Sequence, residues 1–151
     1  MKKMAALRTH LETTSCFKFE QFDAWVEALE QTTRGKNEGN RVLLYTMEYR
    51  AVFSIERFAY QKFPIEILHA KLITWLADND ERSDMEDKEP KVVFDIFDDH
   101  TADVEITLMF EEDVYISPSE QGNIEYAGGS WALEDADHDV AETFDLVGRN
   151  E

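Results

Sequence analysis

From residue 43 the chain alternates. The odd positions Leu43, Tyr45, Met47, Tyr49, Ala51, Phe53 and Ile55 are apolar, and the even positions include Thr46, Glu48, Arg50, Ser54 and Glu56. A period of two places successive side chains on opposite faces, so this run is a half-buried strand rich in aromatic residues. At about 3.3 Å per residue it spans roughly 40 Å, more than a small domain needs. Such a strand requires a bulge, a bend, or pairing beyond one chain.

The remaining elements are arranged around it. Met4, Leu7 and Leu11 sit at helical spacing in residues 3–14, which end in the Thr13, Thr14 and Ser15 cluster. Residues 16–31 are ambiguous: Cys16 to Glu20 alternate like a strand, whereas Phe22, Trp25, Val26 and Leu29 follow i, i+3, i+4, i+7. Residues 32–40, with Gly35, Asn37, Gly39 and Asn40, read as a loop. Pro64 opens a helix over 64–79, where its missing N–H costs nothing, with Ile65, Leu68, Leu72, Trp75 and Leu76 as its apolar stripe. Val92, Phe94 and Ile96, then Val104, Ile106, Leu108 and Phe110, form the two arms of an antiparallel hairpin whose apolar face is expected to lie against the Pro64 helix. A second hairpin is expected between residues 114–116 and 124–126. After Gly128 and Gly129 the largest apolar residues, Trp131, Leu133, Phe144 and Leu146, stand in a mostly polar stretch, so 128–151 reads as a largely disordered tail.

Charge divides the chain in two. Of 151 residues, 33 are acidic and 15 basic, a net of -18. Residues 1–79 carry 11 bases and 10 acids, whereas 80–151 carry 4 bases and 23 acids. A surface of that sign repels phosphates, which argues against nucleic acid as a partner. It also admits a second reading, an acidic protein-binding module or DNA mimic occupying a basic partner surface. The single cysteine, Cys16, excludes an internal disulfide and fits a reducing compartment. Arg8 and His10 cut short any export signal, and Glu66, His69 and Lys71 interrupt the longest apolar helical stretch, so a cytoplasmic location without membrane insertion is expected.

Chemistry-bearing patterns are sparse. His10, His69, His100 and His138 are scattered, and no phosphate-binding glycine loop or nucleophile elbow is present. Asp135, Asp137 and Asp139 imitate the start of a calcium loop, but Val140 stands where glycine is required and Leu146 where the bidentate acid belongs. Asp98, Asp99 and His100 bring two carboxylates to an imidazole, an arrangement that turn chemistry explains better than acid–base work does. Cys16 lacks a partner motif, and His69 borders the helix stripe. Trp131 and Phe144 are candidate anchors for a protein partner, because aromatics dominate interface hot spots. Catalytic residues, cofactors and metals are therefore not expected.

The middle of the chain resembles the phage tail completion protein R family. The resemblance rests on residues 44–53, Leu-Tyr-Thr-Met-Glu-Tyr-Arg-Ala-Val-Phe, on Ile65 to Leu68 leading into Ile73, Thr74, Trp75 and Leu76, and on the hairpin of residues 93–99 and 103–109. It covers roughly 43–126. The glycine-containing segment at 35–40 and the acidic tail depart from the family pattern. The resemblance implies an N-terminal helix followed by strands, favouring a strand pair in 16–31. With the periodicities above, the fold class is α+β, a mostly antiparallel sheet with one long strand and hairpins, flanked by an N-terminal helix and the helix at 64–79. One domain is expected over 1–127. The implied function is a structural tail completion or terminator-like protein, which finishes the tail and prepares it for head joining. The implied partners are tail tube or sheath proteins, head–tail joining proteins, and further copies of itself, a hexameric ring among the forms expected. Asp98, Asp99, His100, Trp131 and Phe144 are the candidate contact residues.

Overall fold

A computed structural model describes residues 1–13 and 21–134. The elements run α1 (Lys2–Glu12), β1 (Phe22–Asn37), β2 (Val42–Phe58), α2 (Ile65–Asn79), β3 (Lys91–Ile96), β4 (Ala102–Pro118), β5 (Ile124–Tyr126) and β6 (Gly129–Leu133). Two helices accompany a mostly antiparallel sheet of order β1-β2-β4-β6-β5, with β3 also paired to β4. The class is α+β, as expected. The chain divides into two compact units, Met1–Glu30 with Glu48–Glu111, and Gln31–Met47 with Glu112–Glu151. The overlong strand has its explanation here, because β2 contributes residues to both units, as do β1 and β4.

The first unit contains most of the apolar core. Tyr49, Ala51, Phe53 and Ile55 are fully buried, as the alternation requires, and so are Phe58 and Phe110. Arg57 has a positive φ of 53°, and beyond it the inward parity switches from odd positions to Phe58. Its N–H donates to Asp103 Oδ1 at 2.9 Å, and its guanidinium lies 4.3 Å over the Phe97 ring. Phe22 stacks on Phe53 at 6.0 Å and Tyr49 meets Phe110 at 5.8 Å. The expected β3–β4 hairpin is present, with Phe94 opposite Val104 and Val92 opposite Ile106. Ala102, Val104, Ile106, Leu108 and Phe110 all point inward.

Pro64 caps α2 with φ -58°, and Leu68, Leu72 and Leu76, four residues apart, are its buried line. His69 lies on the exposed side. The helix ends at Asp80, an acid where the dipole is negative and disfavours it. Two cations offset this. Lys3 Nζ lies 2.6 Å from Asp80 Oδ1, and Arg82 Nη1 lies 2.8 Å from Oδ2, the Asp80 side chain being fully buried. α1, at 11 residues, is too short to persist alone and carries Lys2 and Lys3 at its positive end. It is tied down instead by Lys3, which also donates to the Glu111 carbonyl, by the Met4 N–H bond to Tyr49 Oη, and by His10 stacking on Trp75.

Three expectations are corrected in the strands. Residues 32–37 form strand rather than loop: Gly35, at φ 61°, sits within β1, and the connection shrinks to the turn closed by the Glu38 N–H to Arg41 carbonyl bond. The ambiguous 22–31 stretch is strand; 14–20, with Cys16, lies outside the described residues. Residues 124–126 pair with β6, not with 114–116, and β6 itself occupies 129–133, where a tail was expected to begin. Locality misled that reading, because β6 takes the place beside β4 through Ile116 opposite Leu133.

Asp80→Ala tests the ion-pair cluster. It leaves the Arg82 guanidinium, 9% exposed, without its carboxylate. Breaking a buried pair from one side costs about 3–5 kcal/mol, so urea denaturation is expected to show a loss of that size.

Candidate assembly surface

The second unit is built differently from the first. Val42, Met47 and Ile116 are its buried apolar residues among those described. With so little to bury, its strands are joined by polar side chains crossing from one to the next. Arg34 on β1 donates from Nε to Thr46 Oγ1 at 3.0 Å, and the Thr46 hydroxyl donates to Asp113 Oδ1 at 2.7 Å. Three neighbouring strands, β1, β2 and β4, are thereby linked in one row.

Arg41 makes a second tie. Its guanidinium stacks 3.7 Å over the Tyr115 ring, bonds Glu134 Oε1 at 2.6 Å and lies 3.5 Å from Glu38. Glu134 in turn accepts from the Ser117 hydroxyl at 2.9 Å. The Glu134 hydrogen bond is the main reason the guanidinium holds its proton more strongly than an isolated arginine. Planarity lets one side chain stack and bind a carboxylate at once, which lysine cannot do. Arg41 carried no signal in the sequence, since Glu134 is 93 residues away.

The residues singled out from the sequence fall in separate places. Asp98, Asp99 and His100 are exposed in the β3–β4 turn of the first unit. Asp98 Oδ1 accepts from the His100 N–H, the Thr101 N–H and the Thr101 hydroxyl at 2.9, 2.7 and 2.9 Å. Those bonds, the His100 N–H first, hold its carboxyl below the ordinary aspartate range. Its acceptor is thus committed to the turn. His100 Nδ1 lies 2.7 Å from Gln61 Oε1. Trp131 belongs to the second unit and braces its hairpin, donating from Nε1 to the Tyr126 carbonyl at 2.7 Å and meeting the Tyr126 ring edge-on at 5.6 Å. Gly122 passes so close that an added Cβ would overlap the Trp131 carbonyl, so no larger residue fits there. Phe144 and the Asp135, Asp137, Asp139 run lie outside the described residues. Among the described residues no group of three or more His, Cys, Asp or Glu is placed to hold a metal ion, and no helix is long and apolar enough to cross a membrane.

Two expectations can be measured. Replacing Arg41 by Ala, and to a lesser degree by Lys, is expected to speed hydrogen exchange of the β6 amides while β3 amides keep their protection. Asp98→Ala is expected to lower the melting temperature near neutral pH. A carboxyl with a depressed folded pKa contributes stability above its ordinary value of 3.8 and loses it as pH falls through the lower folded value. The gap between wild type and Asp98→Ala is therefore expected to close in acid, as thermal melts across pH would show.

No solved structure matches the chain. A protein of Haemophilus phage HP1 (strain HP1c1), described as an uncharacterized 19.2 kDa protein in the rep-hol intergenic region, is 27% identical over 133 residues, covering 86% of this chain and 80% of the relative. The family model for P2 phage tail completion protein R (GpR) matches residues 1–135, reaching past the resemblance legible at 43–126 to include α1 and β6. The chain belongs to the P2 phage tail completion protein R family.

Proposed function

We propose that this chain is a structural subunit that finishes a phage tail: it assembles as a homo-oligomer, a hexameric ring, on the end of the tail tube and prepares that end to join the head. The family match over 1–135 carries the reading. Proteins of this family serve phage tail assembly and are structural. The second unit supports the same view, since a sheet held by cross-strand polar ties, with few buried apolar residues among those described, presents surface that a partner can cover. Asp98, Asp99, His100, Trp131 and Phe144 are the contact residues in this reading, toward tube, sheath or head–tail joining proteins. Assembly takes place in the host bacterial cytoplasm, and the finished protein stays in the virion tail.

Complementation in a phage lacking the gene tests the role. Without the protein, tails are expected to accumulate unjoined to heads, with tube ends bare in electron micrographs, and supply of the chain from a plasmid is expected to restore joined particles. Normal yields of infectious phage in its absence would overturn the proposal. Light scattering of the 17.6 kDa chain with purified tubes is expected to give a mass step of six copies per tube end; a single copy per end would remove the ring.

A further inference from the structure

Among the described residues, the sheet of the second unit ends in two edge strands of opposite character. In the order β1-β2-β4-β6-β5, residues 31–37 of β1 lie at one end and β5 at the other. Every residue from 27 to 37 is exposed, on both faces of the strand. A strand that buries neither face gains nothing from the hydrophobic effect, and its outer row of N–H and C=O groups is a template for another strand. Residues 31–37 carry Arg34 and Lys36 and no acid. At the far edge the sign reverses. Glu120 precedes β5, Glu125 lies within it, and from residue 92 to residue 148 the chain contains no lysine or arginine.

We infer that the two edges are partners: the β1 edge of one copy, at residues 31–37, pairs with the β5 edge of the next, continuing the sheet from subunit to subunit. The occupant of each edge is therefore a second copy of this chain. Opposite charge at the two ends of one sheet makes the contact heterologous, head to tail, the kind that closes into a ring when its rotation permits. Like edges would set Lys36 against Lys36 or Glu125 against Glu125, and this repulsion selects the head-to-tail pairing. The net charge of -18 does not prevent it. At physiological ionic strength charges more than about 8 Å apart are screened, whereas groups in contact are screened far less. The inference rests on the reading of the chain as a self-assembling subunit, and it adds which surfaces meet.

Two single-cysteine chains, Thr33→Cys and Glu125→Cys, each also carrying Cys16→Ser, test it in solution without tail tubes. Under mild oxidation the mixture is expected to yield the mixed disulfide dimer, while neither chain alone yields a dimer. Homodimers of Thr33→Cys, or no cross-link in a concentrated mixture, would overturn the proposal. Charge exchange gives an independent readout. Thr33→Glu with Lys36→Glu on one chain, and Glu120→Lys with Glu125→Lys on another, are expected each to lose self-association at least tenfold while melting as wild type does. Mixed one to one, they are expected to recover it. Singly altered chains that associate as wild type, or a mixture that does not recover, would count against the pairing. Because no tube is present, a chain that pairs in this way but fails to complete tails would sink the functional reading and leave the edges intact.

Discussion

The pairing of β2 with β4 is the constraint from which the rest of the structure follows. Each is a strand of seventeen residues, they are neighbours at the centre of the sheet order, and both contribute to both units. In the first unit they turn aromatic side chains inward, Tyr49 and Phe53 from one and Phe110 from the other, and the two helices supply leucines to the same core. In the second unit the same two strands present Thr46 and Asp113, whose hydrogen bond does what buried methyl groups do elsewhere. Backbone pairing is thus constant while the side-chain means of stabilisation change from one unit to the other.

That change explains which parts of the fold were legible in the sequence. Where burial decides the structure, it leaves a period. The odd positions of 43–55 gave β2, the four-residue spacing of Leu68, Leu72 and Leu76 gave α2, and the alternation on either side of Asp98 gave a hairpin. Where polar ties decide it, no period exists. Residues 32–37 look like loop because Gly35 and Asn37 usually break structure, yet a glycine at positive φ is accommodated within a strand that faces water on both sides. β6 was hidden behind Gly128 and Gly129 for a related reason, since its pairing partner Ile116 lies across an intervening strand.

The candidate surface was legible only in part. Trp131 stood out as an aromatic in a polar stretch, and it does organise its hairpin, but by holding Tyr126 in its own chain. The Asp98 turn stood out by composition, and its geometry is that of a turn satisfied by its own backbone amides. Arg41, which joins Glu38, Tyr115 and Glu134, was invisible because an arginine after a glycine-rich stretch resembles any solvated residue. Its importance arises from long-range placement rather than from its neighbours in sequence.

The sheet order also dictates when the protein can fold. β2 is complete at residue 58, but its neighbour β4 begins only at Ala102, and the ring that packs on Tyr49 belongs to Phe110. During synthesis the near-neutral half of the chain therefore leaves the ribosome with its long apolar strand still lacking a central neighbour. The β3–β4 hairpin, joined by a short turn, can form as soon as it emerges, whereas closing β4 onto β2 must first bring together segments separated by the whole of α2. The acidic residues arrive last, with the hairpin and after it, so the nascent chain acquires most of its charge as its core is completed.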